Sequence, residues 1–186
     1  DRLDEIARAF ARVIDAKSPY TFKHSERVAE IVTRMAEEIR LPAEERRDLS
    51  RAALLHDIGK LGVSNMVLDK KGSLTEPEWE QMRAHTLYTY GILQRVKGFS
   101  KLADLASAHH ERLDGKGYHR SIEGGTLTLA ARMLAVADQF EALTAERPYR
   151  KAMPAEQALS ILGSEVGTGI DPVAYEALRR MVEKTD

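Results

Sequence analysis

Seven side chains in this sequence are of types that bind transition metals, and they lie within or at the ends of largely apolar segments. They are His24, His56, Asp57, His85, His109, His110 and Asp138. Burying an imidazole or a carboxylate is costly unless the group has a partner. Neutral imidazoles and two carboxylates offer too few donors to satisfy one another in pairs. A bound divalent metal would satisfy the whole set, so the set predicts a metal site.

The ligand types indicate the chemistry of such a site. Imidazole and carboxylate together suit iron, manganese, zinc or nickel better than calcium or magnesium. One carboxylate can bridge two ions about 3.5–4 Å apart, and the ions can direct a bridging hydroxide in line at a phosphate. We therefore expect two divalent ions. The expected ligands are His24, His56 and Asp138 for one ion and His85, His109 and His110 for the other, with Asp57 as the bridge.

Basic residues near these ligands are candidates for holding an anionic substrate. Lys60 follows Asp57 in the segment HDIGK and could contact a phosphate oxygen or assist the leaving oxygen. The segment ERPYRK, downstream of Asp138, contains Arg147, Arg150 and Lys151, and arginine binds phosphate through two parallel hydrogen bonds. A solvated loop lysine and a solvated helix end explain the same charges, so both interpretations remain open.

Helical periodicity extends through nearly the whole chain and predicts an all-α fold, a single compact helical bundle. Helices are expected over about 21–40, 42–56, 75–96, 102–110, 127–145, 154–163 and 171–184, with a loop over 61–76. Thr75 and Glu78 resemble a capping box. Residues 1–17 form an amphipathic helix, which is either an ordinary first helix or the continuation of an upstream sensor or receiver domain. Residues 18–186 would then form the catalytic domain.

Composition excludes several classes of protein. The 186 residues carry a net charge of -1 and no cysteine. Disulfides and thiolate ligands are therefore excluded, and the chain has no general basic field for a long nucleic acid. No apolar run reaches the roughly 18 residues of a membrane span. These features fit the cytoplasm, where we expect the protein to act.

The segments HDIGK, HHERLDGKGY and ADQFEALTAERPYRK, with KHSERVAE upstream, resemble the HD-GYP domain, a bacterial branch of the HD phosphohydrolases. The resemblance implies a helical bundle around two or three metals, often iron or manganese, that hydrolyses c-di-GMP to pGpG and in many members on to GMP. It implies the seven metal ligands above, with catalytic roles for Asp57 and Lys60. It also implies substrate contacts from Lys60, Gly117, Tyr118, Arg147, Arg150 and Lys151.

The sequence departs from the family pattern at three positions. His119 replaces the proline of the signature loop, which frees the backbone there and adds a donor. Tyr20 lies four residues before His24, where some members have a glutamate that supports a third metal, so we expect two ions. Ser64 stands where proline is common, and we expect a small effect on the loop.

Two other functions remain as alternatives. One is hydrolysis of another cyclic dinucleotide, such as a hybrid of GMP and AMP. The other is a module that senses c-di-GMP or docks a protein such as a GGDEF cyclase domain without cutting, although such modules usually lose metal ligands. A homodimer through the first helix is a further expectation.

Overall fold

The structure, a computed structural model, describes residues 1–18, 23–118, 126–146 and 151–184. Tyr20, His119, Arg147 and Arg150 lie outside these ranges. The described residues form an all-α bundle, as the periodicity predicts. Its helices are α1 (Arg2–Asp15), α2 (His24–Glu38), α3 (Ala43–Leu55), the 3₁₀ helix η1 (Ile58–Gly62), α4 (Asn65–Leu68), α5 (Glu76–Gln94), the 3₁₀ helix η2 (Ser100–Leu102), α6 (Ala103–Ser107), α7 (Leu129–Thr144), α8 (Ala155–Gly163) and α9 (Pro172–Glu183).

Helix α2 lies at the centre of the bundle and packs against α1, α3, α7 and α9. Val28, Val32 and Met35 of its apolar stripe are fully buried. Helix α7 is apolar on most of its surface, and such a helix belongs in the interior of a bundle. Its position places Asp138 inside the protein, opposite the first turn of α2 and the end of α3.

The first helix belongs to the same core. Ala7, Ala11 and Ile14 of α1 are buried in the cluster that includes the apolar residues of α2 and α3. Whether residues 1–17 also continue an upstream domain stays a prediction.

The segment 61–76, expected to be a loop, is partly helical. It contains the end of η1 and the short helix α4. Ser64 is the N-cap of α4, and its side chain accepts a hydrogen bond from the amide of Met66 (3.2 Å). Elements of four or five residues are too short for a periodic signal. The capping box of Thr75 and Glu78 at the start of α5 is confirmed.

The segment that follows His56 and Asp57 packs directly on the backbone of α5, which carries His85. A Cβ atom at Gly59 would lie 1.8 Å from the carbonyl oxygen of His85. The amide of Gly59 donates to Thr89 Oγ1 (3.0 Å), and that hydroxyl donates to the carbonyl oxygen of His56 (2.8 Å). Only glycine permits this approach, which brings the residues after α3 against α5.

Among the residues that the structure describes, no helix combines the length and the apolar character needed to cross a membrane.

Gly59→Ala should separate η1 from α5, because the added Cβ would overlap the carbonyl oxygen of His85. We expect a loss of stability of about 1–3 kcal/mol, as for other overpacked sites, together with weaker metal binding. Thermal unfolding and metal titration measure the two effects. The matched control is Gly91→Ala on α5, where the nearest atom to an added Cβ lies at 3.5 Å and alanine favours the helix. Equal stability and equal metal affinity of the two variants would contradict this interpretation.

Candidate metal centre

The structure brings the seven predicted ligands together in two groups on either side of Asp57. The first group joins the start of α2, the end of α3 and the middle of α7. His24 Nε2 lies 3.2 Å from Asp138 Oδ1, and His56 Nε2 lies 3.7 Å from the same oxygen. The Nε2 atoms of the two histidines are 3.3 Å apart. These three residues could hold one metal ion.

The second group joins α5 to the turn after α6. His85 Nε2 lies 3.1 Å from His109 Nε2, and the rings of His109 and His110 are 4.2 Å apart. Helix α6 ends at Ser107, so the two adjacent histidines lie in a turn rather than at the end of a helix. These three histidines could hold a second ion.

Asp57 faces both groups, one carboxylate oxygen toward each. Its Oδ2 lies 3.4 Å from His56 Nε2 and 3.7 Å from His24 Nε2. Its Oδ1 lies 3.5 Å from His85 Nε2 and 3.7 Å from His109 Nε2. This arrangement suits a bridging carboxylate. His56, Asp57 and His109 form an alternative set that could also hold an ion.

Backbone carbonyls fix the orientation of three imidazoles. In His56, His85 and His109, the Nδ1 atom lies 2.6–2.7 Å from the carbonyl oxygen three residues earlier. A carbonyl oxygen only accepts, so each Nδ1 carries a hydrogen and each ring presents Nε2 to the centre. Outer hydrogen bonds of this kind are usual for metal-binding histidines.

These residues fit a cation. Within the described parts of the chain, Asp57 Oδ1 is buried and has no hydrogen-bond partner, which is costly for a carboxylate oxygen. The Nε2 atoms of His85 and His109 lie 3.1 Å apart with their lone pairs directed toward each other, so they repel. A divalent ion bound beside Asp57 Oδ1 by this group would remove both penalties.

Burial keeps the second group neutral. Desolvation lowers the pKa of His85 to about 3 and that of His110 to about 4. Desolvation, followed by electrostatic repulsion between the protonated forms of His109 and His110, holds the pKa of His109 well below its usual value. Neutral imidazole is the form that binds metals, so this group is in its ligand state at neutral pH.

In the first group, nearby carboxylates raise the pKa of His24 and favour its charged form. Burial opposes a charge on His24, but hydrogen bonds to Asp138 and Glu141 outweigh it and raise the pKa of His24 to about 9. Burial likewise opposes a charge on Asp57, but Lys60 and the surrounding histidines hold the pKa of Asp57 well below its ordinary value. A cation held by His24, His56 and Asp138 would therefore have to displace the proton of His24.

Sequence reasoning missed Glu141, which lies one turn after Asp138 on α7. It is buried, its Oε2 accepts a short hydrogen bond from His24 Nδ1, and its Oε1 accepts from Arg27 Nε (2.5 Å). The carboxylate therefore orients His24 so that Nε2 faces Asp138. An acidic residue inside an otherwise apolar helix was the signal that could have revealed it.

Lys60 and Tyr118 lie beside the ligand groups. Lys60 Nζ lies 2.6 Å from Asp57 Oδ2, and the lysine side chain stays partly exposed. The ring of Tyr118 stacks on His110 at 4.3 Å. Gly117 permits this stacking because it packs on the backbone of 110–111, where an added Cβ would lie 2.7 Å from the carbonyl oxygen of His110.

The structure describes only part of the basic segment ERPYRK, residues 146–151. Lys151 is exposed and follows the segment that contains Arg147 and Arg150. Its contact with substrate stays a prediction, as do those of the two arginines.

Comparison with known proteins identifies the family. The HD domain family matches residues 8–173. The 3′3′-cGAMP-specific phosphodiesterase 3 of Vibrio cholerae serotype O1 is 50% identical over 96% of this chain and 39% of its own length. The cyclic di-GMP phosphodiesterase response regulator RpfG of Xanthomonas campestris pv. campestris is 37% identical over 97% of this chain and 48% of its own.

A solved structure agrees. The cyclic GMP-AMP-specific phosphodiesterase V-cGAP3 of V. cholerae is 45% identical, with a TM-score of 0.62 over 97% of this chain and 41% of that one. The chain therefore belongs to the HD domain family, and its resemblance to HD-GYP phosphodiesterases is confirmed. It spans less than half the length of these relatives.

Glu141→Gln should weaken metal binding about 10- to 100-fold, the usual effect of removing an outer carboxylate from a metal-binding histidine. The amide keeps the shape of the side chain but loses the charge that holds His24. Competition titration with Mn(II) measures the affinity. Glu176→Gln, which removes a surface ion pair on α9, is the control. Unchanged affinity in Glu141→Gln would show that His24 does not depend on this carboxylate.

Proposed function

We propose that this chain is a metal-dependent phosphodiesterase that cuts cyclic dinucleotides. The observation that carries the proposal is the position of Asp57, which is buried between two groups of three metal-binding side chains. A site for two adjacent ions that share one carboxylate is suited to in-line attack on a phosphodiester. Membership of the HD domain family supports the same reaction class.

Two divalent ions would polarise the phosphodiester and supply a nucleophilic water at neutral pH. The protein would contribute the arrangement of groups around them. Asp57 would act as a bridging ligand rather than as an acid, because its low pKa keeps it ionised. His85, His109 and His110 would bind the second ion as neutral ligands.

Lys60 is the proposed contact for the substrate phosphate. Its ammonium lies at the edge of the proposed site, against Asp57, and its side chain is partly exposed. From there it could stabilise negative charge on a phosphate or leaving oxygen. We propose Gly117, Tyr118, Arg147, Arg150 and Lys151 as the remaining substrate contacts.

We propose 3′3′-cGAMP as the preferred substrate. The sequence pattern alone predicts c-di-GMP, but the cGAMP-specific relative is more similar to this chain than the c-di-GMP phosphodiesterase RpfG is, at 50% against 37% identity. Hydrolysis of c-di-GMP to pGpG or GMP is the second candidate, supported by RpfG. A role in sensing without hydrolysis is less well supported, because all seven ligand candidates meet at one site.

We propose iron or manganese as the two ions, because the resemblance to HD-GYP domains implies these metals; zinc or nickel suits the same ligands and is the alternative. A GGDEF cyclase partner, a homodimer through α1 and a cytoplasmic location stay predictions.

Turnover under anaerobic conditions tests the proposal. The protein is loaded with Fe(II) or Mn(II), given 3′3′-cGAMP or c-di-GMP, and the linear products are separated by chromatography. We expect both to be cut, with kcat/KM at least about tenfold higher for 3′3′-cGAMP, a ratio within reach of a few differing contacts to the base. A preference for c-di-GMP would contradict the choice of substrate.

The control for this assay is Asp57→Asn, which keeps the size of the side chain and removes the bridging charge. We expect no turnover from a variant that remains folded by circular dichroism. If the wild-type chain binds two ions and a cyclic dinucleotide but releases no product, the hydrolytic proposal is wrong and the sensing role takes its place.

A further inference from the structure

The last residue of α1 and the three residues that follow it, 15–18, bind three separate parts of the protein, and we call this segment the 15–18 clamp. Asp15 binds the start of α2, Lys17 binds the end of η1, and Ser18 Oγ donates to Asp69 Oδ1 at the end of α4 (2.7 Å). Two of these parts adjoin predicted metal ligands. Residues 15–18 therefore connect α1 to the backbone beside His24 and to the backbone that follows Asp57.

Lys17 makes the most extensive of these contacts. Its ammonium donates to the carbonyl oxygens of Lys60 (2.7 Å), Leu61 (2.9 Å) and Val63 (2.7 Å). An ammonium has three hydrogens, so these carbonyls can use all of them. The carbonyl oxygen of Lys60 also accepts from the amide of Val63 (3.1 Å), but carbonyls at the end of a helix generally lack partners within it, and a cation placed there stabilises them. Lys17 thus caps η1 from outside.

Lys17 is linked to Asp57, the proposed bridging ligand, through Lys60. The carbonyl oxygen of Lys60 is held by Lys17, and the ammonium of Lys60 binds Asp57 Oδ2 at 2.6 Å. The backbone of η1 follows Asp57 directly. A shift of η1 would therefore move both the carboxylate and the lysine that neutralises it.

Asp15 binds Ser25, the residue next to His24. Its buried carboxylate accepts a hydrogen bond from Ser25 Oγ (2.7 Å) and lies 3.3–3.4 Å from the amide nitrogen of the same residue. Ser25 is adjacent to His24 in the first turn of α2. The 15–18 clamp thus fixes His24 and Asp57 relative to each other.

We propose that Lys17 is a positioning residue for the metal centre, acting through the backbone of η1 rather than by contact with metal or substrate. The proposal rests on the metal centre described above but not on the identity of the substrate. Lys17 lies outside the four segments that carry the resemblance to the HD-GYP domain.

The test uses the complete absence of cysteine from the chain. Lys17→Cys removes the ammonium and introduces a unique thiol. Aminoethylation of that thiol in metal-free protein restores an ammonium on a side chain nearly as long as that of lysine. Mn(II) affinity and hydrogen exchange of the amides in 58–63 are measured before and after, with Lys184→Met as the control. Lys184 binds Glu38 at the surface.

We expect Lys17→Cys to weaken Mn(II) binding about tenfold, as for other outer residues of metal sites. Exchange in 58–63 should become at least about tenfold faster, since the segment loses its cap. Aminoethylation should reverse both changes, and Lys184→Met should show neither. A merely stabilising role would lower the midpoint of thermal unfolding without this local pattern.

Unchanged Mn(II) affinity in Lys17→Cys, or failure of aminoethylation to restore it, would overturn the proposal. Both readouts are made without substrate. A protein that binds two ions and responds as expected, but cuts no cyclic dinucleotide, would keep the role of Lys17 and reject the proposed function instead.

Discussion

The rest of the structure depends on one buried charge, the carboxylate of Asp57. A buried carboxylate is strongly destabilising unless cations or donors surround it. Here Lys60 approaches one oxygen, and imidazoles from two groups face both oxygens. Two divalent ions would complete the neutralisation and turn a destabilising group into a ligand shared by two sites. The bundle brings α2, α3, α5 and α7 to this carboxylate.

That requirement explains features that a stable helical bundle does not need. Gly59 allows η1 to contact the backbone of α5, and Thr89 links the two elements by hydrogen bonds. Glu141 holds His24 from α7, and Lys17 holds η1 from the end of α1. Each contact places a ligand or its backbone, and none adds much apolar burial. They stiffen the centre against repulsion among its own ligands.

Much of this could be predicted from the sequence, for identifiable physical reasons. Long helices show a helical apolar periodicity in their sequence, so the positions of α2, α5 and α7 along the chain could be predicted. The capping box marked the start of α5. The ligand groups followed from residue types that are costly to bury. Glu141 and Lys17 were missed because their partners lie far away in the chain, and η1 and α4 because they are too short to show a period.

The choice of the proposed substrate rests on comparison with relatives rather than on the geometry of the site. The motifs favour c-di-GMP, whereas the more similar relative is specific for 3′3′-cGAMP. We propose Arg147 and Arg150 as substrate contacts, and His119 replaces the proline of the signature loop. These residues lie outside the ranges that the structure describes.

The central claim is that two ions share Asp57, and anomalous diffraction from crystals of the Mn(II)-loaded protein tests it directly. We predict two peaks, one bound by His24, His56 and Asp138 and the other by His85, His109 and His110, with one oxygen of Asp57 on each. A single peak bound by His56, Asp57 and His109, the alternative set in this structure, would contradict the account.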